Sequence, residues 1–237
     1  MTAHSQSAPD PGGDPVEEVG LDDLITAARG LIVAGQRRIL GIAGAPGSGK
    51  TTLAETLTAA LGEDAVMVGL DGFHLANAEL HRLGRHDRKG AEDTFDAAGY
   101  VNLLRRLRAA EDPTVYAAFF DRGIEESIAC AVPVANTVPL VITEGNYLLV
   151  DGPRWGEVRT LLDEAWYLQP DEDLRFERLV ARHMRFGRSV DEARERSHGS
   201  DQRNAVLIAG TRQAADRIVR LRTADERSAA AGTEQHA

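Results

Sequence analysis

One cysteine, Cys130, stands in 237 residues. A single thiol forms no intrachain disulfide and builds no cysteine-rich metal centre. Lysine is almost as scarce: of 27 basic side chains, only Lys50 and Lys89 are lysines, and the rest are arginines. No apolar run approaches the length of a membrane span, so no membrane partner is expected. A surplus of positive charge is missing as well, since 37 acids face 27 bases for a net charge of −10. That argues against nucleic-acid binding by bulk charge, which needs a basic face to neutralise phosphates. The first residues show no basic stretch followed by an apolar one, so no secretory leader is expected and the cytoplasm is the expected location.

The acidity is unevenly spread. Residues 1–20 carry a net −4 and residues 223–237 a net −2, which leaves −4 for the body between them. Both end segments lack periodic apolar residues and are rich in small or polar ones, so both are expected to be disordered tails. Residues 21–222 are expected to form one domain. At 43% hydrophobic and 27% charged, the whole chain has an ordinary globular composition.

Within it, apolar runs alternate with amphipathic ones. Residues 38–43, 65–70, 114–120, 138–143 and 165–168 read as strands, with 217–221 as a further candidate. Residues 21–34, 50–61, 95–109, 171–187 and 201–215 have a helical period. Alternating strands and helices predict an α/β fold with a parallel sheet of about five strands, covered by helices on both faces. Ligands of such sheets bind at the carboxyl ends of the strands, so the residues just after each strand are the candidates for chemistry.

The first strand runs into Gly44, Ala45, Pro46, Gly47, Ser48, Gly49, Lys50, Thr51 and Thr52, and then into a helix. This is the P-loop pattern GxxxxGK[ST]. Its glycines let backbone amides form a concave nest for phosphate oxygens, and the helix start adds positive potential. Lys50 would reach the terminal phosphates and Thr51 would offer a hydroxyl to Mg²⁺. These nine residues are the expected ATP-binding element. The second strand ends at Asp71, followed by Gly72, Phe73 and His74. Asp71 is placed to accept a proton from an acceptor hydroxyl; the competing reading is a helix cap. The apolar run at 139–143 ends at Glu144, Gly145 and Asn146. An acid there resembles a Walker B element that holds Mg²⁺ directly or through water.

Three other groups stand out. Asp121 and Arg122 follow the third strand and serve either an acceptor or a structural ion pair. The loop from Arg85 to Lys89 is locally basic in an acidic chain. Arg175, Arg178, Arg182 and Arg185 lie on one helical face, with Arg188 beyond. That face is either solvated or part of a lid, at about 182–200, that brings arginine over a transferring phosphate. Arg182 is the first candidate for that role, with Arg185 and Arg188 behind it. His74, His81 and His86 are irregularly spaced and joined by no cysteine, which argues against a metal cluster.

Taken together, these segments resemble the phosphoribulokinase, uridine kinase and bacterial pantothenate kinase superfamily of P-loop kinases. The stretch Asp71-Gly72-Phe73, then Arg88-Lys89-Gly90 with Thr94-Phe95-Asp96, is similar to motifs of the pantothenate kinases. Phe120-Asp121-Arg122-Gly123-Ile124-Glu125 and Glu144-Gly145-Asn146-Tyr147 resemble the nucleoside/nucleotide kinase-like group, also labelled fructose-transport-system kinase. The resemblance covers residues 38–221. It implies ATP and Mg²⁺ as cofactors, Asp71 as general base, Thr51 and Glu144 as metal ligands and Arg182 as a lid residue. It also implies a small-molecule acceptor near Asp71, His74, Arg88, Lys89, Asp121, Arg122 and Asn146. The chain is shorter than pantothenate kinases and lacks the uridine kinase aromatic and histidine pattern, so neither substrate follows from the resemblance.

The expected activity is transfer of the γ-phosphoryl of Mg-ATP to a small-molecule hydroxyl. A GTPase of metallochaperone type is the alternative, but with lysine only at 50 and 89 the guanine-reading Asn-Lys-x-Asp motif is absent. A nucleotide-binding regulator without turnover is a third reading. A second copy of the chain is an admissible partner.

Overall fold

Burial sorts the strands. A computed structural model describes residues 15–222. In chain order the regular elements are β1 (Glu17–Val19), α1 (Leu21–Gly30), β2 (Arg38–Ala43), α2 (Lys50–Leu61), β3 (Ala65–Gly69), α3 (Asn77–Arg82), α4 (Ala97–Ala109) and β4 (Thr114–Asp121). There follow β5 (Glu126–Ala135), β6 (Leu140–Gly145), α5 (Gly156–Leu161), β7 (Glu164–Leu168), α6 (Glu172–Arg185), α7 (Val190–Arg196), α8 (Gln202–Ala209) and β8 (Arg217–Leu221). Six strands make one parallel sheet in the order β1-β8-β7-β2-β6-β3. Its central strands β2 and β6 are almost entirely buried, as a sheet covered on both faces requires. Ile39 and Ala43 face a core shared with Tyr100, Leu104 and Trp155. Leu40 and Ile42 face the opposite core with Leu24, Leu53, Leu57 and Trp166. The period of two along β2 thus divides the helices into two layers.

Two expectations need correction. The sheet has six strands rather than about five, because β8 joins it and so does β1, which lies inside the stretch read as a tail. Val19 is buried, and Glu17 meets Arg217 at 2.7 Å across the strand pair. Local composition could not show this, since the partner strand is 200 residues away. Residues 1–14 and 223–237, the remainder of both expected tails, lie outside the described residues. The second correction concerns residues 114–120. They do not enter the parallel sheet but form β4 of a separate antiparallel hairpin with β5. One face of β4 is buried (Val115, Ala117, Phe120) while Tyr116 and Phe119 on the other are 56% and 53% exposed. That alternation is the mark of a half-covered strand, and Pro133 suits β5 to an edge.

A buried hydrogen-bond chain ties the layers just before the strand ends. Thr143 Oγ1 donates to the Val68 carbonyl at 2.6 Å, so the Tyr100 hydroxyl, 2.6 Å from Thr143 Oγ1, donates to it. One threonine therefore joins β6, β3 and α4. No helix among the described residues is long and apolar enough to cross a membrane. Thr143→Val keeps the shape but leaves the Tyr100 hydroxyl buried without a partner. Urea unfolding is expected to show a loss of about 1–3 kcal/mol. An unchanged midpoint would show that the chain contributes nothing to stability.

Candidate active site

Four side chains meet where β2, β3 and β6 end. The turn after β2 leads into α2 through Gly49, whose φ of 92° is closed to most side chains. At Gly44 a Cβ would lie 2.7 Å from Ser48 Oγ and 2.8 Å from the Leu168 carbonyl. Only a bare backbone fits this cradle, and the first amides of α2 have no acceptor within their helix. A phosphate fits such a site without rearrangement.

Lys50 opens α2, is half-buried and lies within electrostatic reach of two acids. Burial lowers its pKa, Glu144 and Asp71 act against that, and Arg182 and Arg122 reinforce it. Glu144 ends β6 and is 3% exposed. Its pKa is pushed up to about 7, first by burial and then by Asp71, against the opposing pull of Lys50 and a hydrogen bond from Thr51. A hydroxyl beside a carboxylate that is short of positive charge is a hard oxygen donor set, which suits Mg²⁺. Asp71 sits in a 3-10 turn, Leu70–Phe73, directly after β3. Burial would raise its pKa, but His74, Arg122, Lys50 and Arg182 together hold it below the ordinary carboxylate range. Arg122 Nη2 donates to Asp71 Oδ2 at 2.6 Å. The turn lies so close to the hairpin that a Cβ at Gly72 would sit 2.5 Å from the Ala118 carbonyl. Glycine at 72 is therefore needed for the contact that brings Arg122 to Asp71. Thr51, Asp71, Arg122 and Glu144 line one cavity of about 520 Å³.

The other expected residues divide. Asp121 lines the same cavity, yet its Oδ1 accepts from the amides of Gly123 and Ile124 and so shapes the hairpin tip. His74 is half-buried. Its Nδ1 donates to the Asp71 carbonyl at 2.8 Å, and its ring leans on Phe95 and Phe120. Burial pushes its pKa down, so it acts on the turn as a neutral donor. Asn146 has a buried, unpaired Oδ1 and is not among the residues lining that cavity. Arg88 pairs with Asp93. Lys89 Nζ donates to Asn77 Oδ1 at 2.7 Å and to the Glu125 carbonyl, fastening its loop to α3 and the hairpin tip.

On α6 the arginines take separate tasks. Arg182 is close enough to act on both Lys50 and Asp71. Arg185 is exposed. Arg188 donates to His183 Nδ1, and His183 Nε2 then donates to Asp201, both at 2.7 Å. The structure does not bring Arg185 or Arg188 to the P-loop. Arg175 and Arg178 reach it instead. Arg175, 1% exposed, donates to the Pro46 carbonyl at 3.1 Å and to Gln202 at 2.6 Å. Arg178 donates to the Ser48 carbonyl at 3.2 Å. The solvated reading of this face fails at Arg175. Its helical spacing from Arg182 was the available signal, and only the fold shows that the face is turned to the P-loop.

The model of the phosphoribulokinase/uridine kinase family matches residues 39–225. A Schizosaccharomyces pombe protein provisionally named a uridine kinase is 33% identical over 198 residues, covering 79% of this chain and 84% of that one. A pantothenate kinase of Rhizobium rhizogenes is 28% identical over 158 residues, 62% of this chain and 47% of that one. Among solved structures, a protein of Silicibacter sp. TM1040, provisionally named a fructose transport system kinase, superposes with a TM-score of 0.77 at 35% identity. The match covers 85% of this chain and 98% of that one.

Arg175 is thus a buried tie between the P-loop and α8. Removing a hydrogen bond from a charged donor costs about 1.5–3 kcal/mol. Arg175→Met is expected to weaken Mg-ATP binding about tenfold or more by titration calorimetry, with an unchanged circular dichroism spectrum. Affinity within twofold of the parent would show that the loop holds its shape alone.

Proposed function

Because the chain belongs to the phosphoribulokinase/uridine kinase family, we propose that it transfers the γ-phosphoryl of Mg-ATP to a hydroxyl of a small molecule, with Asp71 as general base. Members of the family are kinases that act on small-molecule hydroxyls, and this chain is one of them. The observation that carries the finer reading is the convergence of Thr51, Asp71 and Glu144 on one cavity at the ends of three adjacent strands, with Lys50 acting electrostatically on both acids.

The residues divide the work. The P-loop amides cradle the phosphates and Lys50 reaches the terminal ones. Thr51 and Glu144 would hold Mg²⁺, which would supply charge neutralisation at the phosphates. Asp71 keeps its negative charge at neutral pH, because Arg122, Lys50 and Arg182 act against its burial. With Arg122 on Oδ2, the other oxygen is left to receive the acceptor's proton. The acceptor oxygen forms a bond to the γ-phosphorus, the bond from phosphorus to the β–γ bridging oxygen breaks, and ADP leaves with that electron pair. In a loose transition state the attacking oxygen is only weakly bonded, so orienting the hydroxyl matters more than a strongly basic partner. Arg182 adds positive charge beside Lys50.

Asp71→Asn is expected to lower turnover at least about a hundredfold while leaving the Kd for Mg-ATP within about threefold. Weakened ATP binding with normal turnover would make Asp71 a structural cap or a metal ligand. Lys89→Arg tests the second lysine. A branched guanidinium cannot make the same two point contacts with Asn77 and the Glu125 carbonyl. The KM for the acceptor is expected to rise about threefold or more with the KM for ATP unchanged. Identical kinetics would return Lys89 to a plain surface role.

A further inference from the structure

The charge pattern of the acceptor side separates acceptor classes, an inference that rests on the function proposed above. Four carboxylates line the cavity: Glu55, Asp71, Asp121 and Glu144. Its one lining cation, Arg122, is already engaged by Asp71 at 2.6 Å. The rest of the wall is largely apolar, with Met67, Ala118, Phe119 and Val132.

The basic loop that the sequence placed beside the acceptor has its charge committed elsewhere. Arg85 and Arg88 both turn to Asp93. Lys89 is held by Asn77 and the Glu125 carbonyl and lies over the Phe120 ring, 5.0 Å from its centroid. Lys50 and Arg182 act on Asp71 but are not among the residues that line this cavity. An acceptor bearing a carboxylate or phosphate would shed its water against acids, with no uncommitted cation lining that wall among the described residues. Such a charge is costly to bury unpaired. Hydroxyls, by contrast, can donate to the carboxylates, and the C–H face of a sugar or polyol can lie on the apolar wall around Phe119.

We propose that the acceptor is an uncharged sugar- or polyol-like hydroxyl compound, and that acceptors already carrying a phosphate or carboxylate are rejected.

Matched pairs test this. The full-length protein with saturating Mg-ATP is assayed for ADP release with ribulose and ribulose 5-phosphate, fructose and fructose 6-phosphate, and panthenol and pantothenate. At least one uncharged member is expected to turn over, and its kcat/KM is expected to exceed that of its anionic partner tenfold or more. An anionic member used as well as or better than its partner overturns the inference. So does turnover by none of the six while Mg-ATP binds normally in calorimetry, since uncharged sugars and polyols are admitted as a class. Failure to bind Mg-ATP at all would overturn the proposed function instead.

Discussion

A half-buried ammonium favours nearby carboxylates, and this end of the molecule is arranged around that need. Lys50 loses part of its water at the head of α2. The cost is offset only if acids approach from the neighbouring strands. Sheet register delivers one of them. Ile42 of β2 and Gly69 of β3 both stand opposite Glu144 of β6, so its carboxylate emerges between the two strand ends. The turn after β3 delivers the other, Asp71. The pair do not end equal. Glu144 is raised to about 7 and Asp71 is lowered, because Arg122 binds Asp71 directly while Glu144 is the more enclosed. Two acids a strand apart thereby acquire different chemistry: one short of positive charge, one firmly ionised.

The parts of this arrangement that were legible in the sequence are the ones encoded locally. The run at 38–43, the glycine-rich turn and the helical period after it lie in one continuous stretch, and so does the apolar run ending in Glu144. Asp71 was legible for the same reason, as an acid directly after a strand. What escaped depends on partners far along the chain. Arg175 reaches a carbonyl 129 residues away, and Glu17 an arginine 200 residues away. The hairpin escaped because β5 buries little. Its residues from Ser127 to Pro133 are half-buried or exposed, so the apolar run at 128–135 does not mark a core strand. Mistaking β4 for a sheet strand still placed Asp121 and Arg122 by the cavity, because the hairpin packs over the end of β3.

Charge that looked like a binding feature turned out to be divided by function. The arginines of α6 point to one face, but Arg175 and Arg178 fasten the P-loop and Arg182 acts on Lys50, while Arg188, beyond the helix, closes a chain through His183 to Asp201. A planar fork with several donors suits the first task, since carbonyls of a bent loop can be gripped from more than one direction. The same economy explains the scarcity of lysine. Arginine serves wherever the demand is to clamp, whereas Lys50 and Lys89 occupy positions where a single compact cation reaches its partners along a narrow path.

The hairpin links these observations to specificity. Gly72 lets the Asp71 turn touch Ala118, which carries Arg122 to Asp71, and the tip beyond it receives Lys89 through Glu125. The element that orients Asp71 therefore also engages the cations that an anionic acceptor would need. A change that freed Arg122 or Lys89 for an acceptor would loosen Asp71 or the loop behind it. Within this architecture, the preference proposed for an uncharged acceptor and the placement of Asp71 would follow from one set of contacts.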